Sequence, residues 1–172
     1  MLKAFPRQLL LGCMLLASPV LAHGDQRGQT QRFDTYQVPA GAALILDLLT
    51  PLDSASSAVD QQVDATLRSP VIQDGVELIP AKSVVIGKVS EVSRASTRRP
   101  RGRIAFVFSI IEHAETDSLA RIRSHEVVFE VPVEPAPARG RAPKQKPADV
   151  VVPAGETFVA MLAEPLLVRI PK

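Results

Sequence analysis

The segment VPAGAALILDLLTPL at Val38–Leu52 returns as VPAGETFVAMLAEPL at Val152–Leu166, with each residue of the second copy 114 positions after its counterpart. In both copies Pro fixes φ where one strand ends, Gly lets the chain turn, and an apolar run begins a new strand. A C-terminal copy of an N-terminal segment predicts that the two pair and close a small barrel, which removes exposed sheet edges. Two unrelated Pro-Gly turns are the alternative.

The sequence between the two copies has the pattern of β-strands. Residues 62–68 alternate between polar and apolar side chains, which predicts a strand with one buried face. Residues 104–111 are almost entirely apolar on both faces and predict a central strand. Asp74-Gly75 predicts a two-residue hairpin turn, and a change in apolar parity near 124–126 predicts a β-bulge.

A shorter echo of the repeat, Ile79-Pro80-Ala81-Lys82, leads into another strand-like run. No segment carries a capped apolar stripe at helical spacing, and 15 Pro in 172 residues argue against long helices. We therefore predict one all-β domain at residues 36–170, a small and mostly antiparallel barrel or sandwich.

Two segments outside this pattern predict flexible chain. Residues 23–35 are polar and almost without periodicity, so they read as a lead-in. Residues 134–149 contain four Pro, four basic residues and no large apolar side chain, too little to offset the entropy lost on ordering. The sequence predicts a flexible loop there.

The first 22 residues have the three parts of a secretory signal peptide. Lys3 and Arg7 precede the apolar stretch Leu9–Leu21, and Val20-Leu21-Ala22 offers a small residue before a cut. An uncleaved anchor helix and lipidation at Leu11-Gly12-Cys13 are the alternatives. Cutting after Ala22 would remove the single cysteine and leave 18 Lys and Arg facing 18 Asp and Glu. We expect a neutral protein of the periplasm or the medium, without disulfides or a membrane span.

Several of these features, in this order along the chain, resemble a known domain. They are Val38-Pro39-Ala40-Gly41 with the strand after it, Leu52–Ser57, Val63–Val71, Asp74-Gly75, Ile79-Pro80-Ala81, Val85–Val89, and Arg101-Gly102-Arg103 with the apolar strand behind it. The order is similar to the C-terminal β-barrel of TrbI-type proteins, the conjugal-transfer and type IV secretion components that build an outer-membrane channel. Small exported bacterial proteins of unknown function share it. The resemblance covers residues 36–133 and implies a barrel and an envelope location.

The chain departs from the channel proteins where they meet membranes. A predicted cleavable leader stands in place of their cytoplasmic tail, inner-membrane helix and Pro-rich stalk. Only the hydrophilic residues 134–149 lie near the position of their helical antenna. The resemblance therefore does not imply a pore.

A run of arginines is the strongest candidate for a binding site. No acid interrupts it, and such a loop could grip phosphates of lipopolysaccharide, nucleic acid or anionic lipid through bidentate contacts. The absence of aromatic side chains weakens the nucleic-acid version. A solvated hairpin tip is the alternative. The residues are Arg94, Arg98, Arg99, Arg101 and Arg103.

Other chemistry has weaker support in the sequence. His23 would become the mature N-terminus and could bind copper, but a second His must converge on it, and His113 and His125 are predicted to lie apart. The sequence carries no Gly-x-Ser-x-Gly, His-Glu-x-x-His or phosphate-loop motif. We expect no enzyme activity, no cofactor and no metal.

The sequence thus predicts a non-catalytic, exported cell-envelope protein that binds or scaffolds another macromolecule. Its partner is either an envelope protein or an anionic envelope component. Polyanion binding through the Arg94–Arg103 loop and copper handling through His23 remain the alternatives. Nothing in the sequence predicts an oligomeric state.

Overall fold

The computed structural model describes residues 32–114, 118–132 and 146–171. The predicted signal peptide, His23 and most of the predicted 134–149 loop lie outside these ranges. Thirteen strands and no helix occur within them. They are β1 (Phe33–Val38), β2 (Ala43–Leu48), β3 (Leu52–Asp53), β4 (Gln62–Leu67), β5 (Val71–Gln73), β6 (Val76–Ile79), β7 (Val84–Ser93), β8 (Arg103–Glu112), β9 (Leu119–Arg121), β10 (Val127–Glu130), β11 (Val151–Val152), β12 (Thr157–Met161) and β13 (Leu166–Pro171).

The main sheet is antiparallel and curled. Its strand order is β10-β8-β7-β4-β2-β12, and β9 also pairs with β8. The two ends of this order are joined by backbone hydrogen bonds: His125 N donates to Met161 O over 2.8 Å, and Ala163 N donates to Arg123 O over 2.7 Å. The remaining strands form the two-stranded pairs β1-β13, β3-β11 and β5-β6. The prediction of a small, mostly antiparallel all-β fold is confirmed.

The two copies of the repeat pair with each other, as predicted. Strand β2 of the first copy pairs antiparallel with β12 of the second, and Ile45 lies directly opposite Val159, its own counterpart. The pairing is symmetric about this point. Val38 pairs with Leu166 at one end, and the equivalent pair, Val152 with Leu52, lies at the other.

Three turns of one geometry precede strands β2, β7 and β12. In each, a Pro carbonyl accepts the N–H three residues later, and the third residue has positive φ, the pattern of a type II turn. These residues are Gly41 (+82°), Lys82 (+68°) and Gly155 (+88°). Each donates its N–H to the carbonyl of a buried leucine, respectively Leu162, Leu67 and Leu48, always over 2.7 Å. The echo at Ile79–Lys82 thus has the same geometry as the two full copies, with Lys in place of Gly.

Other local predictions agree with the structure. Strand β4 alternates buried and less buried residues, and β8 is central, with β7 on one side and β9 and β10 on the other. Asp74 and Gly75 both have positive φ between β5 and β6, as a type I′ hairpin turn requires. Between β9 and β10 the register shifts by two residues relative to β8, near the predicted bulge.

The domain begins before residue 36, and ordered structure after the predicted 134–149 loop starts before residue 150, both earlier than the sequence predicts. Residues 33–35 belong to β1, because the C-terminal strand β13 supplies their pairing partner. At the other end of the predicted loop, Ala148 N donates to Pro100 O over 2.9 Å, and Asp149 is held by side-chain hydrogen bonds. Ordered structure therefore reaches into residues 148–149, which the composition assigns to flexible chain.

The core holds β8 at the centre of the sheet. Phe106 and Phe108 are fully buried, and their rings contact Phe158 from β12 at centroid distances of 5.6 and 6.1 Å. Phe129 from β10 stacks on Phe106 at 5.9 Å. Offset and edge contacts of this kind add to the stabilisation from apolar burial. Strands β8, β10 and β12 are thereby fixed relative to one another.

Candidate anion-binding cleft

Three adjacent strands place a row of polar side chains at one end of the sheet. Arg103, the first residue of β8, pairs with Ser93 at the end of β7 and with Glu130 at the end of β10. Residues that pair across antiparallel strands share one face of the sheet. The row forms the floor of an open cleft of about 520 Å³, which we call the arginine cleft.

The loop 94–102 between β7 and β8 forms the wall of the arginine cleft. This loop folds on itself: Ser96 N donates to Arg99 O over 2.6 Å, and Arg99 N donates to Ser96 Oγ over 3.1 Å. Arg98, Arg99, Pro100 and Arg101 line the cleft, and Glu91 from β7 completes it. The turn thus presents neighbouring guanidinium groups on a wall beside a fixed floor.

The charges in the cleft fall into two groups. Arg103 is neutralised by carboxylates, with Nη1 3.4 Å from Glu91 Oε2 and Nη2 3.8 Å from Glu126 Oε2. Arg99 donates from Nη1 to the Ser93 hydroxyl over 3.3 Å. Neither Arg98 nor Arg99 is within salt-bridge distance of an acid in the described part of the chain. These two exposed guanidinium groups are free to bind an anion.

A part-buried polar junction around Ser54 and Asp149 holds both ends of the loop 94–102. Ser54 is 2% exposed, and its Oγ donates to Asp149 Oδ1 over 2.9 Å and accepts Val150 N over 3.0 Å. Asp149 Oδ1 also accepts Ala95 N over 2.8 Å, which holds the start of the loop. Gly102 N donates to Ala148 O over 2.8 Å, which holds its end.

This junction leaves no room for a side chain at Gly102. A Cβ at this position would overlap Ser54 Oγ and would stand 2.7 Å from Val150 N and 2.9 Å from Asp149 Cα. Two of these three atoms are backbone atoms and cannot move without shifting a strand. The close approach of three chain segments at Gly102 therefore depends on the absence of a side chain.

The junction also changes the titration of Asp149. The backbone N–H of Ala95 is the main cause that holds the pKa of the Asp149 carboxyl below its ordinary value, and partial desolvation opposes it. The Ser54 hydroxyl and the positive charge of Arg94 lower the pKa further. The carboxylate is therefore ionised at neutral pH, and its hydrogen bonds are charge-assisted.

The structure brings four of the five predicted arginines together. Arg98, Arg99, Arg101 and Arg103 line the arginine cleft. Arg94 is not among its lining residues, and its charge acts on Asp149 instead. The five arginines therefore have three different places. Arg98, Arg99 and Arg101 form the cleft wall, Arg103 is a neutralised residue of its floor, and Arg94 belongs to the junction.

Sequence reasoning missed the polar partners of these arginines. Glu130 and Ser93 follow from strand alternation only when the register of three strands is known. Ser54 and Asp149 lie 95 residues apart, and Asp149 ends a Pro- and Lys-rich segment that gives no sign of a structural role. No signal in the sequence joins them.

A second cleft, of about 500 Å³, has a different character. It lies between β6, the β8–β9 hairpin and β13, and its lining is mainly aliphatic, with Leu78, Ile111 and Val168 among it. His113 also lines it, and the Nδ1 atom of this side chain is buried without a hydrogen-bond partner among described residues. No cluster of charges accompanies it.

The described residues contain no group of three or more His, Cys, Asp or Glu side chains that could hold a metal ion. His113 lies beside the β8–β9 hairpin, where its N–H donates to Ser118 O, and His125 lies where the ends of the main sheet meet. His23 is outside the described ranges, so the copper prediction is untested. Within residues 32–114, 118–132 and 146–171, no helix has the length and apolar character to cross a bilayer.

Comparison with known proteins adds no relative to this description. No family model matches the chain, and no curated protein matches it significantly. The resemblance to TrbI-type barrels therefore stays a prediction from the order of the motifs.

Proposed function

We propose that this protein is a non-catalytic, exported binding domain of the cell envelope, and that its contact surface is the arginine cleft. Its partner is an anionic envelope component. The leader-like N-terminal sequence supports export. The polar, strongly cationic wall of the cleft supports recognition of an anion.

One observation carries this proposal: the arginine wall is held at both ends by the same part-buried junction. Asp149 binds Ala95 at the start of the loop, and Ala148 binds Gly102 at its end. A charged hairpin tip that served solubility alone would need no such anchoring. A rigid scaffold that presents an exposed loop is the usual arrangement of a binding site, and preorganisation lowers the entropy lost on binding.

The proposal is tested by replacing two wall arginines and measuring binding to anionic vesicles. The variant is Arg98→Ser with Arg99→Ser, and the probe is phosphatidylcholine vesicles that contain lipopolysaccharide. Each lost exposed contact costs about 0.5–1 kcal/mol, so we expect binding to weaken by about fivefold to thirtyfold. Added salt should reduce the difference between variant and parent, because it screens exposed charges.

The matched control replaces two exposed arginines outside the cleft, Arg121 and Arg123, by Ser. This control has the same net charge as the test variant, so a general loss of positive charge would weaken both equally. The proposal predicts that only the cleft variant loses binding, at an unchanged melting temperature. Equal binding by the parent and the cleft variant at low salt would overturn it.

A further inference from the structure

The lining of the arginine cleft contains both signs of charge. Among the described residues, four arginines line the cleft together with Glu91, Glu130 and Ser93, and Pro100 is the single non-polar residue of this set. Glu91 is engaged by Arg103. Glu130 makes no ion pair within the ranges that the structure describes, so its carboxylate is an available acceptor.

This composition disfavours two classes of anionic ligand. Proteins that bind single-stranded nucleic acid usually stack its bases on aromatic side chains, and none occurs among the described residues that line the cleft. The acyl chains of a lipid need large apolar side chains, which these described lining residues also lack. The lining therefore matches a polar ligand best.

The unpaired carboxylate of Glu130 narrows the chemical class of the ligand further. A ligand that presented only anionic groups would be repelled by Glu130, whereas a ligand with hydroxyl groups could donate to it and accept from Ser93 or an arginine. Resting on the proposed function above, we infer that the ligand of the arginine cleft is an anionic carbohydrate. Arg98 and Arg99 bind its phosphate or carboxylate, and Glu130 accepts its hydroxyl groups.

The geometry fits a ligand of this size and shape. The cleft volume of about 520 Å³ lies within the range of small-molecule sites, about 300–1,000 Å³. The free arginines stand on the wall, and Glu130 stands at the end of β10 on the floor. The anion and the hydroxyl groups of the ligand would thus contact different parts of the cleft lining.

Two sources could supply this chemistry, a glycolipid headgroup at a membrane surface and a free sugar phosphate. Calorimetric titration with glucose 1-phosphate, inorganic phosphate and glucose measures what the ring adds to the anion. Co-sedimentation with vesicles that contain lipopolysaccharide measures the glycolipid source. Tighter binding of glucose 1-phosphate than of phosphate supports the carbohydrate class, and the affinities for glucose 1-phosphate and for the vesicles identify the source.

The decisive variant is Glu130→Gln, which removes the charge and keeps the shape. We expect the parent to bind glucose 1-phosphate about tenfold more tightly than phosphate. In the variant, phosphate affinity should stay the same or rise, because a repulsive charge is gone, while glucose 1-phosphate affinity should fall about threefold to tenfold. A merely electrostatic role would make both anions bind more tightly. Glu164→Gln, at an exposed acid outside the cleft, is the control.

The outcomes separate the two proposals. If glucose 1-phosphate and phosphate bind equally, and Glu130→Gln changes both alike, the carbohydrate inference is wrong and anion binding stands. If neither the small anions nor the vesicles bind, both the carbohydrate inference and the proposed anion-binding function are wrong. Tighter binding of single-stranded DNA than of vesicles would also overturn the carbohydrate inference.

Discussion

The backbone N–H of Gly155 donates to the carbonyl oxygen of Leu48 over 2.7 Å from a left-handed conformation, with φ at +88°. The equivalent bond of the other copy runs from Gly41 to Leu162 over the same distance. Each copy of the repeat therefore binds the other by the same contact, and neither copy can make it alone. The turn glycines are part of what joins the two ends of the chain.

Replacing Gly155 by Ala should destabilise the fold through backbone conformation alone. A Cβ at this position would meet no atom within 4 Å, so the cost is that of a left-handed residue with a side chain, about 1–2 kcal/mol. For a domain of this size we expect the melting temperature to fall by about 2–8 °C. Calorimetry measures this fall in melting temperature. Gly41→Ala should lower the melting temperature by a similar amount, because a Cβ there would also meet no atom within 4 Å.

The turn before β7 allows the reverse substitution, in which Gly replaces a residue that has a side chain. Lys82 already holds a side chain at φ +68°, so Lys82→Gly relieves this strain while adding entropy to the unfolded chain. The two effects oppose each other, and we expect a change in unfolding free energy smaller than about 1 kcal/mol. A Gly155→Ala protein as stable as the parent would contradict the role assigned to the turn.

Deleting Val150–Lys172 should abolish cooperative unfolding. Strand β12 lies between β2 and the segment 123–125, so its loss exposes the edge of β2 and the core beneath it. We expect aggregation during expression, or a broad thermal transition by circular dichroism. Removing several residues from 134–145, which the sequence predicts to be a flexible loop, is the control, and it should change stability little because loop closure entropy varies slowly with length. A truncated protein that melts like the parent would show that the repeat does not close the fold.

Most strands could be predicted because their causes are local. Alternation in 62–67 indicates one buried face, and Asp74-Gly75 favours the two positive φ angles that a type I′ hairpin turn requires. The repeat added one long-range relationship, the pairing of β2 with β12, because two similar segments that pair antiparallel can meet symmetrically. These inferences needed nothing beyond the sequence.

The arginine cleft could be predicted only in part because its polar partners come from distant segments. The run of arginines is visible in the sequence, but its division is not: Arg103 pairs with Glu91 and Glu126, while the charge of Arg94 acts on Asp149. These relationships depend on the register of the strands and on the position of Ala148 and Asp149 beside the loop 94–102. Local composition carries no information about either.

Mass spectrometry of the native protein should locate the predicted cut. The positive residues, apolar stretch and Val20-Leu21-Ala22 together predict a mature chain that starts at or within a few residues of His23. A variant with Leu15→Arg, which interrupts the apolar stretch, should accumulate as the full-length chain in the cytoplasm. A full-length cytosolic parent would contradict export and with it the envelope part of the proposed function.

The Asp149 junction should make stability depend on pH in the acid range. The pKa of the folded carboxyl lies below its ordinary value of 3.8, so folding favours the ionised form. The stabilisation is present in full above the pKa of the unfolded chain and is lost as the pH falls through the lower, folded pKa. Stability should therefore decrease on acidification below about pH 4, partly because of this residue.

Replacing Asp149 by Asn tests both the junction and its connection to the cleft. The Asn oxygen can still accept Ala95 N, but the bond is no longer charge-assisted, and the attraction to Arg94 is lost. We expect a lower melting temperature than the parent at pH 7, and a difference that shrinks as the pH falls below about 4, because the parent carboxylate then becomes protonated. Glu164→Gln, at an exposed ion pair, should leave the pH profile unchanged. Because Asp149 anchors the arginine wall, binding of lipopolysaccharide vesicles should also weaken at pH 7. A variant that melts and binds like the parent across this range would show that the junction does not hold the loop.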